Sequence, residues 1–149
     1  IQRLKEILAY SDESGCHVQL HQADLRSIEL TPTSFVVLNL TLQFIAPADR
    51  DQVIQRIADA TLPGGALLLS EKLCFSDPAQ QQLLTDLHHD FKRANGYSDL
   101  EIAQKRTAIE NRLIPETLDT HCDRLRKAGF SVVAPWFQCF NFVSILAVK

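Results

Sequence analysis

The sequence predicts an α/β fold whose sheet is mostly parallel and ends in an antiparallel hairpin. Two apolar, β-rich runs, SFVVLNLTLQF (34–44) and ALLLSEKLCF (66–75), flank a stretch with helical periodicity, the order of a parallel strand–helix–strand unit. The last two strand-like segments, SVVAPWFQ (131–138) and NFVSILAVK (141–149), follow one another without an intervening helix, as a hairpin does. No internal repeat, low-complexity stretch or linker divides the 149 residues, a length that suits one domain with a sizeable core.

In chain order, residues 1–10 read as the later part of a helix, with Leu4, Ile7 and Leu8 on one side, broken by SDESG. HVQLHQAD (17–24) alternates and predicts a short strand ending at Asp24. SFVVLNLTLQF predicts a strand buried on both faces. Val53, Ile54, Ile57, Ala58 and Leu62 recur at helical spacing until Pro63-Gly64-Gly65 stops the helix, and ALLLSEKLCF predicts the next buried strand. Leu83, Leu84, Leu87, Phe91 and Ala94 form the stripe of a long helix, closed at Asn95-Gly96 by a left-handed cap. Ser98 with Glu101 three residues on predicts a capping box for another helix. Leu118, Cys122, Leu125 and Ala128 stripe a last helix that ends at Gly129. Pro135 predicts an edge position or a bulge in its strand.

Composition narrows the function classes. Eighteen acidic against fifteen basic residues give a net charge of −3, which argues against a large nonspecific nucleic-acid surface. The apolar runs are too short to span a membrane, and the opening IQRLKEILAY reads as an amphipathic helix and not a leader. Cys16, Cys74, Cys122 and Cys139 show neither zinc spacing nor CxxC pairing. The expectation is a cytoplasmic protein with reduced, mostly buried thiols. The chain contains no methionine and opens inside a helical pattern, as expected of a piece of a longer protein.

Four places carry chemistry. His88-His89-Asp90 has the residue types of an HD-type metal phosphohydrolase, but adjacent helical positions point about 100° apart and the helical scaffold and further ligands of that class are not legible. No metal is expected. Asp24, after its predicted strand, sits where ligands meet open α/β sheets. It reads equally as a nucleotide-amine acceptor or as the cap of the turn that follows. Asn39 interrupts an apolar run, and a buried amide needs partners; a strand end facing a ligand is the favoured reading. Arg106 continues the stripe Ile102, Arg106, Ile109, Leu113, and a cation on a buried face requires an anion. A ligand carboxylate and Glu110, four residues on, are both open as its partner.

Taken together, VVLNLTLQF, LPGGALLLSEK, HHDFKRANGYSDLEIAQKR, RKAGF and WFQCFNF resemble the carboxy-S-adenosyl-L-methionine synthase family of the class I methyltransferase-like superfamily. LPGGALLLSE and KAGF mark the superfamily; HHDFKRANGYSDLEIAQKR and WFQCFNF are much more specific to the synthases. The resemblance implies the C-terminal part of a Rossmann-like domain. The superfamily's strands 1 and 2, its glycine-rich loop and its ribose-binding acid have no counterpart in residues 1–149. It implies carboxyl transfer from prephenate to the methyl carbon of S-adenosyl-L-methionine, giving carboxy-S-adenosyl-L-methionine and phenylpyruvate, through a sulfonium ylide. The product serves modification of a wobble uridine in tRNA by a partner enzyme. The resemblance further implies a homodimer, no direct nucleic-acid or membrane contact, and an isolated chain without activity. By motif, Asp24 and Leu25 would meet the adenine, Asn39 the cofactor and Arg106 the product carboxylate. It leaves His88 and His89 without a role and names no catalytic residue. The alternatives are part of a generic small-molecule methyltransferase, distinguished by an Arg106 that meets no ligand carboxylate, and a noncatalytic dimerisation module, distinguished by a complete protein that binds no adenosyl ligand.

The superfamily sheet order 3-2-1-4-5-7-6 makes one structural expectation sharp. Segment 17–24 would be strand 3 and segment 34–44 strand 4, yet strands 1 and 2 between them would leave a gap of about 14 Å. Strand 3 would then lack a partner unless it moved.

Overall fold

The computed structural model describes residues 18–109 and 112–149. Its sheet has four strands, β1 (Thr33–Asn39), β2 (Thr61–Lys72), β3 (Val132–Cys139) and β4 (Phe142–Val148), in the spatial order β1-β2-β4-β3. β1 and β2 run parallel, β2 and β4 antiparallel, and β3 and β4 form the terminal hairpin. This is the 4-5-7-6 portion of the expected order. Four helices connect them: α1 (Pro47–Ala60), α2 (Pro78–Ala94), α3 (Asp99–Ile109) and α4 (Leu118–Lys127).

Alternation along the strands builds one packed face. Leu67, Leu69 and Leu73 of the β2 segment and Val143, Ile145 and Ala147 of β4 are buried. They meet Val53, Ile54, Ile57 and Ala58 of α1 and Cys122 and Leu125 of α4 in a single core. α1 begins with Pro47 and ends where the Lys149 ammonium donates to the carbonyls of Ala58 and Thr61 at 2.6 and 2.8 Å. α4 starts at Thr117, whose hydroxyl accepts from the Thr120 amide. The predicted capping box of α3 is present: Glu101 accepts from the Ser98 amide and hydroxyl, and the Ser98 hydroxyl accepts from the Glu101 amide. Gly96 and Gly129 take the left-handed conformation expected after α2 and α4. Pro135 meets both expectations, since β3 is an edge strand and its register shifts between Pro135 and Phe137.

Buried ions knit the packed face. Arg50 is fully buried, with Nη1 2.7 Å from a Glu116 carboxylate oxygen and donations to the carbonyls of Ile45, Gln43 and Ile114. Arg124 grips Glu116 with two nitrogens at 2.7 and 2.8 Å and Asp51 with a third at 2.6 Å. Burial would raise the Glu116 pKa, but hydrogen bonds from Arg124 and Arg50 outweigh it and hold the carboxyl at about 2. His121, buried against this cluster with neither ring nitrogen hydrogen-bonded among the described residues, is pushed down to about 4, mainly by burial.

Several expectations are corrected. Residues 18–24 form no strand and take no place in the sheet; the helix expected over 1–10 lies outside the described residues. β1 is not buried on both faces: only Leu38 is buried, whereas Phe35 and Val37 are more than half exposed, because α1 packs on one face only and β1 is an edge. The run also ends at Asn39, beyond which Leu40 is left-handed and Leu42–Phe44 form a 3₁₀ turn. Pro63-Gly64-Gly65 does not stop α1. The strand starts at Thr61, and these residues bulge from it between the Thr33–Thr61 and Phe35–Ala66 pairs, leaving Leu62 exposed. Gly64 is left-handed there, and a Cβ on Gly65 would lie 2.8 Å from two backbone oxygens. The α2 stripe exists but is thinly covered among the described residues: no residue of α2 is buried, Leu83, Leu87 and Phe91 are exposed, and Phe91 meets Phe140 with ring centroids 5.5 Å apart. Cys74, Cys122 and Cys139 are free thiols, but only Cys122 is buried and Cys139 is exposed.

Candidate active site

The carboxyl end of β2 opens into a cavity of about 510 Å³ between the sheet, α2 and α3. Among the described residues six basic ones line it and no acidic one does: Lys72 at the end of β2, His88, His89 and Lys92 on α2, and Lys105 and Arg106 on α3. Phe142, opposite Lys72 in the β2–β4 register, gives an apolar wall. The buried Ile102 fastens α3 to this region while Lys105 and Arg106 stay exposed.

On the strand side the wall is held by a carboxylate. Glu71, fully buried, accepts from the backbone amides of Thr41, Leu42 and Gln43 at 3.2, 2.8 and 3.1 Å. The alternation of β2 aims Glu71 at the core face and Lys72 at the cavity. Burial raises the Glu71 pKa against these three amide donors. The Gln43 side chain in turn accepts from the Lys72 amide at 3.0 Å.

The positive field leaves its mark on the titrating groups. His88 packs edge-on to Phe142 at 5.2 Å and stacks 6.0 Å from Phe140. Burial first, then Lys92, Lys72, His89 and Lys105, push its pKa down to about 4, so it is a neutral imidazole at pH 7. His89 is lowered by burial and by Lys92, Arg93 and Arg106. Burial also lowers Lys72, helped by Lys92 and Arg106, and lowers Lys92, helped by Lys105. Cations that repel one another in a partly dry cavity bind an anion strongly.

The structure brings Arg106 together with His88 and His89, both of which line this cavity despite their adjacent positions; their rings are 6.2 Å apart. Arg106 is exposed at the cavity and not on a buried face, because α3 buries only Ile102. Asn39 is also exposed, at the carboxyl end of β1 and next to the cavity-lining Leu40, so the amide needs no buried partner. Asp24 and Leu25 lie elsewhere. The Asp24 carboxylate caps its own turn, accepting from the Arg26 amide at 2.9 Å and pairing with its guanidinium at 2.7 Å, and the Arg26 hydrogen bonds hold it at about 2. Arg56 of α1 fastens that turn by its carbonyls at Leu25, Arg26 and Ile28. Leu25, half-buried, lines a separate apolar groove of about 590 Å³ with Ile28, Val36 and Leu38. Among the described residues, no three His, Cys, Asp or Glu side chains converge as a metal would require, and no helix is long and apolar enough to cross a membrane. Sequence reasoning missed Lys72, Lys92 and Asn141, which line the cavity with Arg106. For Lys72 a signal existed: a cation closing an apolar strand stands where open α/β sheets meet ligands.

No family model matches the chain. It is 54% identical, over 99% of its length, to the carboxy-S-adenosyl-L-methionine synthase of Pseudomonas putida KT2440, and 56% identical, over its whole length, to that of Marinobacter nauticus. The chain is a homologue of carboxy-S-adenosyl-L-methionine synthases. It spans 61% of the length of the first synthase and 59% of the second. The fold agrees. An O-methyltransferase family protein from Burkholderia thailandensis superposes with a TM-score of 0.68 at 19% identity, over 98% of this chain and 40% of that one. Human N-acetylserotonin methyltransferase in complex with S-adenosylmethionine superposes at 0.56 and 19% identity, over 87% of this chain and 33% of that one. The fold is therefore that of class I methyltransferases, and the basic cavity of this synthase homologue lies at the strand ends where such sheets meet their ligands.

Proposed function

We propose that the complete protein of which this chain forms part transfers a carboxyl group from prephenate to S-adenosyl-L-methionine, giving carboxy-S-adenosyl-L-methionine and phenylpyruvate. The observation that carries this reading is the cavity lined, among the described residues, by six basic side chains and no acid in a chain similar to synthases of that name. A methyl donor that is already cationic gains little from such a field, whereas a carboxylate-bearing product gains much. In atom terms the methyl proton and the ring hydroxyl of prephenate leave as water while the carboxyl carbon joins the methyl carbon.

The described residues fit the edges of an S-adenosyl-L-methionine site. Leu25 offers an apolar edge for adenine, and Asp24 an acceptor that the adenine amine would share with Arg26. Asn39 presents a free amide face at the end of β1. S-adenosyl-L-methionine supplies the acceptor carbon when bound. The chain's own part is positional: Arg106 holds the new carboxylate, and the neutral His88 keeps the cavity wall dry between Phe140 and Phe142. We further infer a cytoplasmic homodimer that contacts neither nucleic acid nor membrane and whose product serves tRNA wobble-uridine modification. The exposed Leu83, Leu87 and Phe91 of α2 support a partner copy.

Calorimetry on the complete protein tests the reading. Arg106→Ala is expected to weaken carboxy-S-adenosyl-L-methionine by about 1.5–3 kcal/mol, the scale of a lost hydrogen bond between charged groups, with little change for S-adenosyl-L-methionine. Equal losses for both ligands would remove the clamp and favour a generic methyltransferase.

A further inference from the structure

The cavity holds more unmet demand than one product carboxylate satisfies. Lys72 and Lys92 stand on two elements other than the one that carries Arg106. Neither lies within 4 Å of a described carboxylate, whereas Arg26, Arg50, Arg93, Arg124 and Arg126 all do. Of the acids near Lys92 along the chain, Asp90 and Asp99 both pair with Arg93, at 2.6 and 2.8 Å, and Asp86 accepts from the Gln82 side-chain amide at 2.8 Å. Lys72 is half-buried with no counter-ion among the described residues, a state that costs free energy until an anion arrives. The third demand is of opposite kind. Asn141, 1% exposed, lines the same cavity, and its Oδ1 accepts no hydrogen bond among the described residues. A buried amide oxygen of this kind calls for a donor.

We propose that Lys72 and Lys92 form a second anion subsite, separate from Arg106, that holds a carboxylate of a hydroxylated dicarboxylic acid whose hydroxyl donates to Asn141. This rests on the carboxyl-transfer reading and deepens it by assigning the donor's place. Two anion subsites on different elements also explain selectivity: a dianion bridges the lysines, a monoanion such as phenylpyruvate is held less and departs, and the product carboxylate stays on Arg106. The groups facing His88 across the cavity are Lys72 from β2, Lys92 and His89 from α2, and Lys105 and Arg106 from α3, so an anion at the lysines changes the field at its ring.

The test uses the complete protein carrying Lys72→Met and Lys92→Met together, with Lys72→Arg and Lys92→Arg as the charge-keeping control. Two probes are used: prephenate in turnover, and malate, a small hydroxylated dicarboxylate, in binding without turnover. The paired Met variant is expected to raise KM for prephenate by about tenfold or more, the scale of a lost charge-assisted contact, with kcat and the S-adenosyl-L-methionine affinity held within about twofold. Malate is expected to move the His88 ring-proton resonance and raise its titration midpoint in the wild type and the Arg control, and to do neither in the Met variant. Unaltered KM and an unaltered malate response in the Met variant would overturn the subsite. So would equal loss of S-adenosyl-L-methionine affinity, which would mean general damage. A wild-type protein that binds malate through the lysines but makes no carboxylated product from prephenate would sink the functional reading and leave the subsite standing.

Discussion

Arg124 and Lys92 are both helix-borne cations, and they keep opposite company. Arg124 on α4 finds three carboxylate oxygens between 2.6 and 2.8 Å, one of them, on Glu116, shared with the buried Arg50. Lys92 on α2 finds Lys72, Lys105 and two imidazoles. The first cluster closes its charges internally and serves the core; the second leaves them open to one side. Cations that serve cohesion here have partners inside the molecule, carboxylates for Arg50 and Arg124 and carbonyls for Arg56 and Lys149. A cluster that lines a cavity with no described carboxylate partner is a place suited to an acid from outside.

The largest effect expected from breaking this contrast lies in the closed cluster. Glu116→Ala strands two buried guanidiniums and should cost about 3–5 kcal/mol of stability, read from urea unfolding midpoints of the complete protein. The sign with pH follows from the depressed carboxyl. With a folded pKa of about 2 against an ordinary 4.5, the contribution is full above pH 4.5 and is lost as pH falls toward 2. A loss in Glu116→Ala no greater than that of an ordinary surface substitution would erase the distinction between the clusters.

His121 sharpens the comparison from the other side. Its folded pKa of about 4 lies below the ordinary 6.5, so the unfolded chain takes up a proton that the folded one refuses. Stability from this group therefore falls as pH drops from about 6.5 to 4. His121→Leu removes two ring nitrogens that have no described partner and should flatten that part of the profile, seen by comparing thermal midpoints at pH 7.5 and 4.5. An unchanged slope would show that the imidazole does not carry it. The smallest effect belongs to the open cluster: Lys72→Met should leave stability unchanged or raise it by under about 1 kcal/mol, since a repelled, half-dry ammonium is removed. A large loss in differential scanning calorimetry would show Lys72 to be structural.

Local chemistry was legible in the sequence and long-range chemistry was not. The Ser98–Glu101 box, the left-handed glycines after α2 and α4, the α4 stripe and the closing hairpin each depend on residues a few positions apart. The strand expected at 17–24 failed because a strand exists only by its neighbours, and segment 18–24 has none in the sheet. The α2 stripe was read correctly as a pattern, but what covers it is a matter of partners, and periodicity says nothing of those. Arg106 and the paired histidines were picked out, and they do share a cavity. Lys72 joins them from a strand that precedes His88 by 16 residues and Arg106 by 34, across a register that only the folded sheet defines. The Glu116 cluster gave no local sign, because its arginines come from α1 and α4.

The three amide bonds from Thr41, Leu42 and Gln43 to Glu71 give the cavity one stiff wall. Across from it stands α2, with none of its residues buried. A ligand entering between them meets one side fixed by buried hydrogen bonds and the other formed by a helix that buries none of its side chains. A surface that covered the exposed Leu83, Leu87 and Phe91 would therefore bear on one wall of the cavity without touching the ligand.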